Sequence, residues 1–238
     1  MTIENFAAKH NLIYGICSFP PKSIIVVGKG YPPSPFTNLS SLAFGRDYHH
    51  TLTEILKDLS KTINASSTIM VDTGPLYERP LAVKAGLGFM GKNGLVISPV
   101  LGSFFNIGLL VVDTYLEPTE PSTQSCPEDC NLCEKACPTN LSLCISSLTQ
   151  KKGNLTDREK ELIGNQLYGC DLCQLCCPFN NITPPTEQED PKTILNMTEP
   201  EFDSRFGHTA MAWRGFKHLR RNAKIVLQNM YPDGKKRG

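Results

Sequence analysis

Nine cysteines between residues 126 and 177 are the side chains of this sequence with the clearest capacity for chemistry. Their first run is C-x3-C-x2-C-x3-C-P and begins at Cys126. Their second run is C-x2-C-x3-C-P and begins at Cys170. Thiolates at such short spacings hold iron–sulfur clusters or zinc ions, and the thiols of small secreted proteins pair as disulfides. Three kinds of chemistry therefore have to be compared.

The proline after the last cysteine of each run favours iron–sulfur clusters. In two-cluster bacterial ferredoxins each run reads C-x2-C-x2-C-x3-C-P, and the cysteine before each proline ligates the cluster of the other run. The second run here lacks its opening cysteine, and Cys144 can replace it. We therefore predict two [4Fe–4S] clusters. Their ligands are Cys126, Cys130, Cys133 and Cys177 for one cluster, and Cys137, Cys144, Cys170 and Cys173 for the other.

Two further cysteines fall outside this ligand set. Cys176 stands beside Cys177, and adjacent residues rarely both reach one cluster, so we expect Cys176 to pack near the site without ligating. If the spacing argument fails, the choice between Cys126 and Cys176 as a ligand remains open. Cys17 lies alone in an apolar run and is predicted to be a buried core residue.

Zinc and disulfides are the less favoured interpretations of the cysteines. Zinc sites usually take ligands in local pairs and show no preference for Cys-Pro after a three-residue spacer. Disulfides suit short secreted chains, whereas residues 1–15 lack the basic and apolar segments of a signal peptide. No apolar run approaches the roughly 18 residues of a membrane span. The expectation is a cytoplasmic iron–sulfur protein with no membrane contact.

The chain of 238 residues is much longer than a ferredoxin requires, so we expect a further domain before Cys126. Apolar runs predict strands at residues 23–30, 67–72, 95–98 and 104–112, and helices at residues 48–63 and 80–85, which together form an α/β layer architecture. The proline-rich residues 114–123 are typical of a linker. Gly86, Gly88 and Gly91 indicate close approach of the backbone to another chain segment or to a large flat ligand.

Basic charge is concentrated at the end of the sequence. Residues 214–238 hold eight Lys/Arg and one acid, so a +7 tail follows a −6 body in a chain of net charge +1. One helical face is predicted for a set of apolar residues, namely Ala212, Phe216, Leu219, Ala223, Val226 and Met230. The basic side chains Arg220, Arg221 and Lys224 lie mostly elsewhere and could neutralise RNA phosphates. A solvated helix surface is the alternative.

Seven segments carry a resemblance to a known family, and they run in order from about residue 20 to about residue 225. They are AFGRDYH (43–49), VDTGP (71–75), ERPLAVKAGLGFMGKNGLVIS (78–98), GSFFNIG (102–108), CISSLT (144–149), NQLYGCDLCQLCCPFN (165–180), and FDSRFGHTAMAWRG followed by LRRNA (202–223). This set resembles the epoxyqueuosine reductases, which are cobalamin- and [4Fe–4S]-dependent enzymes of tRNA queuosine synthesis.

The resemblance implies an α+β protein of three consecutive segments. Residues 1–118 would form a nitroreductase-like α/β domain that holds base-off cobalamin. Residues 119–185 would form a ferredoxin-like module with two [4Fe–4S] clusters, and residues 186–238 a C-terminal helical segment with the basic tail. The chain is shorter than the longer family members, which continue into a helical-repeat domain that helps to hold tRNA. The sequence also lacks several family residues between Cys137 and Cys144.

The resemblance also assigns individual residues. Asp72 falls on the proposed proton donor of the family, while a turn-capping aspartate before Thr-Gly-Pro is the alternative interpretation. Lys152 falls on a tRNA-contacting position, while an ordinary surface lysine is the alternative. The positions that line the corrin in the family fall on Leu42, Asp72, Val96, Ser98, Ile107, Ile145, Asp171 and Leu172.

The implied function is reduction of epoxyqueuosine in tRNA to queuosine. Two clusters would pass electrons from a donor such as flavodoxin or ferredoxin to Co(I) cobalamin, and Asp72 would protonate the departing epoxide oxygen. A carboxyl can do so at neutral pH only if burial raises its pKa. The alternatives are a corrinoid-binding electron-transfer protein and a cobalamin-dependent reductase of a small molecule.

Overall fold

The computed structural model describes residues 1–231, which form two compact units. The first unit contains residues 1–31, 48–130 and 178–181, and the second contains residues 32–47, 131–177 and 182–231. Both units are therefore assembled from separated stretches of chain. The predicted boundaries after residues 118 and 185 do not coincide with these units, and the division by function stays a prediction. The last basic residues of the predicted tail, Lys235, Lys236 and Arg237, lie outside the described residues.

The first unit is built on a four-stranded antiparallel sheet with strand order β1-β2-β6-β3. Its strands are β1 (Leu12–Phe19), β2 (Lys22–Gly30), β3 (Ser67–Met70) and β6 (Phe105–Val112), while β4 (Phe89–Met90) and β5 (Val96–Ile97) form a separate short hairpin. Three helices complete the unit, namely α1 (Ile3–His10), α2 (Tyr48–Thr62) and α3 (Glu78–Lys84). The mixed α/β composition predicted from the sequence is confirmed.

Both faces of the central strands are covered, which explains their continuous apolar sequences. Ile25 and Val27 of β2 pack on one face with the α2 side chains Leu52 and Leu56. Ile24 and Val26 belong to the opposite cluster. That second cluster also holds Ala82 of α3, Leu109 of β6 and Cys17, which is 1% exposed, so the prediction of a buried Cys17 is confirmed.

The predicted close approach at the glycines is made by other segments of the first unit. A Cβ atom on Gly88 would lie 2.1 Å from the carbonyl oxygen of Ile97, and one on Gly86 would lie 2.2 Å from that of Glu120. The proline-rich segment is also fixed, because Thr119 donates from Oγ1 to the Ala85 carbonyl at 2.6 Å. Residues 114–123 therefore pack on the first unit, and the prediction that they form a linker is wrong.

Residues 178–181 complete the same unit from a distant part of the sequence. The Asn180 side chain accepts a hydrogen bond from the Ser103 backbone at 2.6 Å and donates to the Ser103 hydroxyl at 3.0 Å. The Phe179 ring meets the edge of Phe89 with a centroid distance of 5.1 Å. These contacts fix the turn that precedes β6.

The described part of the second unit consists mainly of short helices. They are α4 (Leu132–Ala136), α5 (Ile145–Gln150), α6 (Asp157–Leu162), α7 (Leu172–Leu175), α8 (Pro191–Asn196), α9 (Glu199–Phe206) and α10 (Phe216–Met230). Several begin at strong local signals: Thr156 and Thr198 form capping boxes with Glu159 and Glu201. Such caps satisfy backbone N–H groups that a helix of one or two turns cannot pair internally.

Helix α10 packs its middle turns into the core of the second unit. Leu219, Ala223 and Val226 join a buried cluster with residues such as Leu39, Tyr168 and Phe206, which confirms the centre of the predicted apolar face. Met230 is 42% exposed, so its predicted place on that face is wrong. No helix among residues 1–231 is long and apolar enough to cross a membrane.

Candidate active site

Asp72 stands two residues after β3 in a backbone conformation that aspartate seldom adopts. Its φ is +50°, in the left-handed region where a side chain is crowded by its own backbone. The Asp72 N–H donates to Oε1 of Glu78, the first residue of α3, at 2.6 Å. The turn between β3 and α3 is thus closed by the Glu78 carboxyl, which holds the Asp72 backbone in place.

Two aromatic side chains from the start of α2 reach the Asp72 carboxylate. The Tyr48 hydroxyl donates to Oδ2, and Nε2 of His49 lies 3.6 Å from the same oxygen. The Tyr48 and His49 rings stack with their centroids 4.1 Å apart. Sequence reasoning quoted the segments that contain Tyr48, His49 and Glu78 but gave these residues no role.

Asp72 opens into a cavity of about 310 Å³ that its own turn and α3 line. Its side chain is 51% exposed. Burial and the neighbouring Asp72 charge raise the pKa of Glu78 to about 7, although the Asp72 N–H and Arg79 favour the ionised form.

Four of the predicted cluster ligands interact with one another in the second unit. Burial raises the pKa of the Cys170 thiol to about 12, and smaller contributions in the same direction come from Asp171, Cys144 and Cys137. Burial likewise raises the pKa of the Cys173 thiol to about 12, with smaller contributions from Cys170, Cys144, Asp171 and Cys176. Ionising such crowded, buried thiols is costly unless a cation receives them. The donor set therefore fits a cationic metal cluster.

Cys137 of this group has hydrogen-bond donors around its sulfur. Although burial acts in the opposite direction, the Thr139 hydroxyl and the N–H groups of Thr139 and Leu141 lower the pKa of the Cys137 thiol. The Thr139 Oγ1 atom is 3.2 Å from Sγ. Asn140 and Leu141 adopt φ values of +48° and +63°, in the left-handed region. This loop is suited to a thiolate, because it directs N–H groups towards the sulfur.

The remaining predicted ligands are divided between the units. Cys126 and Cys130 belong to the first unit, and Cys133 and Cys177 belong to the second. The loop with Cys126 and Cys130 is held by Lys92, whose Nζ donates to the carbonyls of Pro127, Glu128 and Cys130 at 3.0, 2.6 and 2.8 Å. Lys92 lies in the GKN segment of the sequence, and its role was not predicted.

The predicted non-ligand Cys176 lies beside the second ligand group, with its thiol 3.6 Å from the Cys173 carbonyl. Within residues 1–231, no three His, Cys, Asp or Glu side chains are grouped as ligands of a metal ion. Cys144 is nevertheless among the causes that raise the pKa of both Cys170 and Cys173, and Cys137 among those that raise the pKa of Cys170. Their assignment as ligands stays a prediction.

The family model described as "Epoxyqueuosine reductase QueG, DUF1730" matches residues 19–73. The epoxyqueuosine reductase of Staphylococcus aureus is 38% identical over 242 residues, a match that covers 87% of this chain and 63% of the relative. An epoxyqueuosine reductase solved with an epoxyqueuosine-modified tRNA-Tyr stem loop superposes with a TM-score of 0.77 at 31% identity, covering 91% of this chain and 67% of the other. The chain belongs to the epoxyqueuosine reductase family.

Another member of the epoxyqueuosine reductase family, from Bacillus subtilis, superposes with a TM-score of 0.75 at 31% identity and the same coverage. That protein was solved with a catalytic aspartate loop swung out of its active site. This chain spans less than two thirds of the length of the Staphylococcus aureus relative.

The polar residues that the epoxyqueuosine reductase resemblance placed at the corrin use their side chains within the protein. The Asp171 carboxylate accepts hydrogen bonds from the Ser40 hydroxyl, from the backbone and hydroxyl of Ser41, and from Gln174, at 2.7–3.1 Å. The Ser98 hydroxyl accepts from the Val100 N–H at 3.2 Å. The Asp171 and Ser98 side chains are therefore engaged in hydrogen bonds within the protein.

The apolar residues of the same set differ in exposure. Val96 and Ile145 are buried, with exposures of 4% and 2%. Leu42, Ile107 and Leu172 are half-buried, so each leaves part of its side chain outside the core. These three have the chemistry to contact an apolar macrocycle. The structure leaves all of these cofactor assignments as predictions.

Arg221 of the predicted RNA surface is part of the fold of this epoxyqueuosine reductase family member. Its guanidinium donates to the carbonyls of Thr149, Lys151 and Gly153 at 3.1, 2.6 and 2.7 Å, at the C-terminal end of α5. Charge-assisted bonds of this kind contribute about 2 kcal/mol. Replacing Arg221 would therefore disturb the loop that contains Lys152.

The other predicted RNA-contacting residues are available to solvent. Arg220, Lys224 and Lys152 are exposed, as is Lys217 on α10. The Arg220 guanidinium lies over the Phe216 ring, 5.9 Å from its centroid. From Arg214 to Tyr231 the chain carries five basic residues and no acid. Helix α10 therefore presents a basic surface.

Proposed function

We propose that this chain is an epoxyqueuosine reductase that acts on tRNA. The observation that carries the proposal is the Asp72 pocket, where an accessible carboxyl receives a hydrogen bond from Tyr48 and the Asp72 backbone is held by Glu78. A proton donor for a departing oxygen must be accessible and fixed in this way. The relative from Bacillus subtilis, which has a catalytic aspartate loop, supports the same role for Asp72.

The pocket also supports a nucleobase as substrate. Tyr77 lies at its rim and is 83% exposed, so its ring offers an open face. Proteins that act on unpaired RNA bases commonly stack the base on an aromatic side chain. One solved relative is bound to an epoxyqueuosine-modified stem loop of tRNA-Tyr, which supports tRNA as the partner of this chain.

Two [4Fe–4S] clusters are the metal groups that the cysteines fit. Cys137, Cys144, Cys170 and Cys173 would hold one cluster, and their crowding in the second unit supports this set. The other set is Cys126, Cys130, Cys133 and Cys177. The donors around Cys137 would stabilise its thiolate, and Lys92 would keep the loop of Cys126 in place.

Cobalamin is the further cofactor that family membership supports. When bound, it would supply the reducing chemistry at the substrate, with electrons from a donor such as flavodoxin or ferredoxin. Half-buried Leu42, Ile107 and Leu172 have side chains suited to contact a corrin. The work of the protein is to position the base, exclude competing groups and deliver a proton from Asp72. A cytoplasmic location follows from a tRNA substrate.

An assay on modified tRNA tests the proposal directly. The chain is reconstituted anaerobically with iron, sulfide and cobalamin, and is then incubated with a chemical reductant and tRNA that carries epoxyqueuosine. We expect conversion to queuosine, measured by mass spectrometry of nucleosides. Base-off cob(II)alamin, observed by paramagnetic resonance, would accompany it. Cobalamin binding without conversion of tRNA would instead indicate an electron-transfer protein or a reductase of a small molecule.

The basic surface of α10 gives a separate prediction about RNA binding. Replacing exposed Arg220 and Lys224 with Gln should weaken tRNA binding and reduce the slope of log Kd against log salt by up to about 2, because each lost phosphate contact releases about one counterion fewer. Binding is measured by fluorescence anisotropy at several salt concentrations. Arg221 is kept, because its loss would perturb the fold.

The matched control removes two charges from the other unit. Lys57 and Lys61 are exposed on α2, and their replacement with Gln changes the net charge by the same amount. This control should leave the salt dependence close to that of the wild type. If both double variants have the wild-type slope, the basic face of α10 is a solvated surface that does not contact RNA.

A further inference from the structure

Glu78 interacts with the Asp72 turn through a backbone hydrogen bond and through the charge of its neighbour. Its Oε1 accepts the Asp72 N–H at 2.6 Å. Burial and the neighbouring Asp72 side chain also favour a proton on Glu78. Two neighbouring carboxyl groups resist being ionised together. At neutral pH such a pair tends to retain a proton.

We infer that Glu78 and Asp72 form a carboxyl pair that shares one proton, with Glu78 fixing the Asp72 turn and passing the proton to Asp72 in each turnover. This inference rests on the proposed function of Asp72 as the proton donor. In the step, the O–H bond of Glu78 breaks as a new O–H bond forms on Asp72, and this bond breaks in turn as the proton passes to the departing substrate oxygen. Solvent then returns one proton to Glu78.

The pair explains how an exposed aspartate can donate a proton at neutral pH. Asp72 is half exposed. Glu78 is more buried, and its pKa is raised to about 7 by burial and by the neighbouring Asp72. The protons of such a pair dissociate in steps that belong to both groups. The pair therefore stores a proton on the sheltered member and uses it at the accessible one.

The charged and titratable groups around the pair come from two helices. Arg79 follows Glu78 on α3 and favours the ionised form of Glu78. Tyr48 and His49 of α2 approach the Asp72 carboxylate. His49 has an imidazole, which ordinarily titrates near neutral pH, so any test has to separate its titration from that of Glu78.

Glu78→Gln separates proton storage from positioning. The amide oxygen of Gln can still accept the Asp72 N–H, but the side chain cannot hold an exchangeable acidic proton. Wild-type kcat should decline as pH rises above about 7, because the donor pair loses its proton. In Glu78→Gln the decline should move to lower pH by about one unit or more, which lowers turnover at pH 8 roughly tenfold. Glu78→Ala should lower turnover at every pH, because it also removes the contact with the turn.

His49→Gln is the matched control for the pH profile. We expect its decline to stay at the wild-type pH. If His49→Gln moves the decline and Glu78→Gln does not, the proton is held by the imidazole and the inference about Glu78 is overturned. The same conclusion follows if Glu78→Gln reproduces Glu78→Ala at every pH without moving the decline, because Glu78 would then only position the turn.

A titration of the full-length holoprotein tests the pair without reference to activity. Glutamate side chains are labelled with 13C, and the Glu78 carboxyl is followed by NMR and assigned by its loss in Glu78→Gln. Its midpoint should lie near pH 7 and fall in Asp72→Asn, because the neighbouring negative charge is gone. A midpoint in the ordinary range of glutamate overturns the inference. A midpoint near 7 in a protein that is inactive on tRNA supports the pair and contradicts only the proposed substrate.

Discussion

Asp72→Asn is expected to lower turnover on epoxyqueuosine tRNA by roughly 10²-fold or more, the scale of general acid catalysis. Asn cannot donate a carboxylic proton, but its amide oxygen can still receive the hydrogen bond from Tyr48. The backbone contact from residue 72 to Glu78 does not involve the side chain that changes. Iron content, cobalamin binding and tRNA affinity should therefore stay close to wild type while kcat falls.

Asp58→Asn is a suitable control for this experiment. Asp58 lies on α2 of the same unit, and its carboxylate forms an exposed ion pair with Lys61. Asp58→Asn changes the net charge by the same amount as Asp72→Asn. It should lower the free energy of unfolding only slightly, because exposed ion pairs contribute little to stability. Turnover near the wild-type value in both variants would mean that Asp72 only shapes the turn.

Cys144→Ser should halve the iron content of the reconstituted protein, from about eight to about four atoms per chain, because a [4Fe–4S] cluster requires four ligands. Cys144 is the cysteine that the spacing argument assigned without a regular motif. In the structure, Cys144 contributes to the raised pKa of both the Cys170 and the Cys173 thiol. Iron and sulfide are measured by chemical analysis after anaerobic reconstitution and gel filtration.

Cys176→Ser is the matched control for the cluster. The Cys176 thiol lies near Cys173, so this variant also removes a sulfur atom beside the site but leaves all eight predicted ligands in place. Both clusters should be retained. An unchanged iron content in Cys144→Ser, or about four iron atoms in the wild type, would contradict the ligand assignment.

The long elements of the first unit could be predicted because their apolar patterns are long. Residues 23–30 and 104–112 read as buried strands, and the structure has β2 and β6 there. The predicted helix at residues 48–63 corresponds to α2. The small helices from α4 to α9 span at most eight residues, which is too short for a clear helical period. Their caps and tertiary contacts determine them instead.

The sequence indicated which residues belong to the candidate site, but not how most of them are arranged in space. The resemblance identified Asp72, but the proximity of Tyr48 and the role of Glu78 depend on how α2 and α3 meet β3. Helical periodicity placed Arg221 on the basic surface. Its carbonyl partners lie about 70 positions earlier in the chain, at the end of α5, and no local pattern indicates them. The arrangement of the site therefore depends on contacts between residues that are distant in the sequence, which local sequence patterns do not indicate.

The interleaved course of the chain limits how the protein can be divided for study. Between residues 1 and 231 the chain passes from one unit to the other five times. A fragment ending at residue 118 would lack Asn180, which supports the turn before β6, and Phe179, which packs against Phe89 of β4. Expression of separate halves is consequently a poor route to isolated activities. Single substitutions in the intact polypeptide are the appropriate means of uncoupling electron supply from proton delivery.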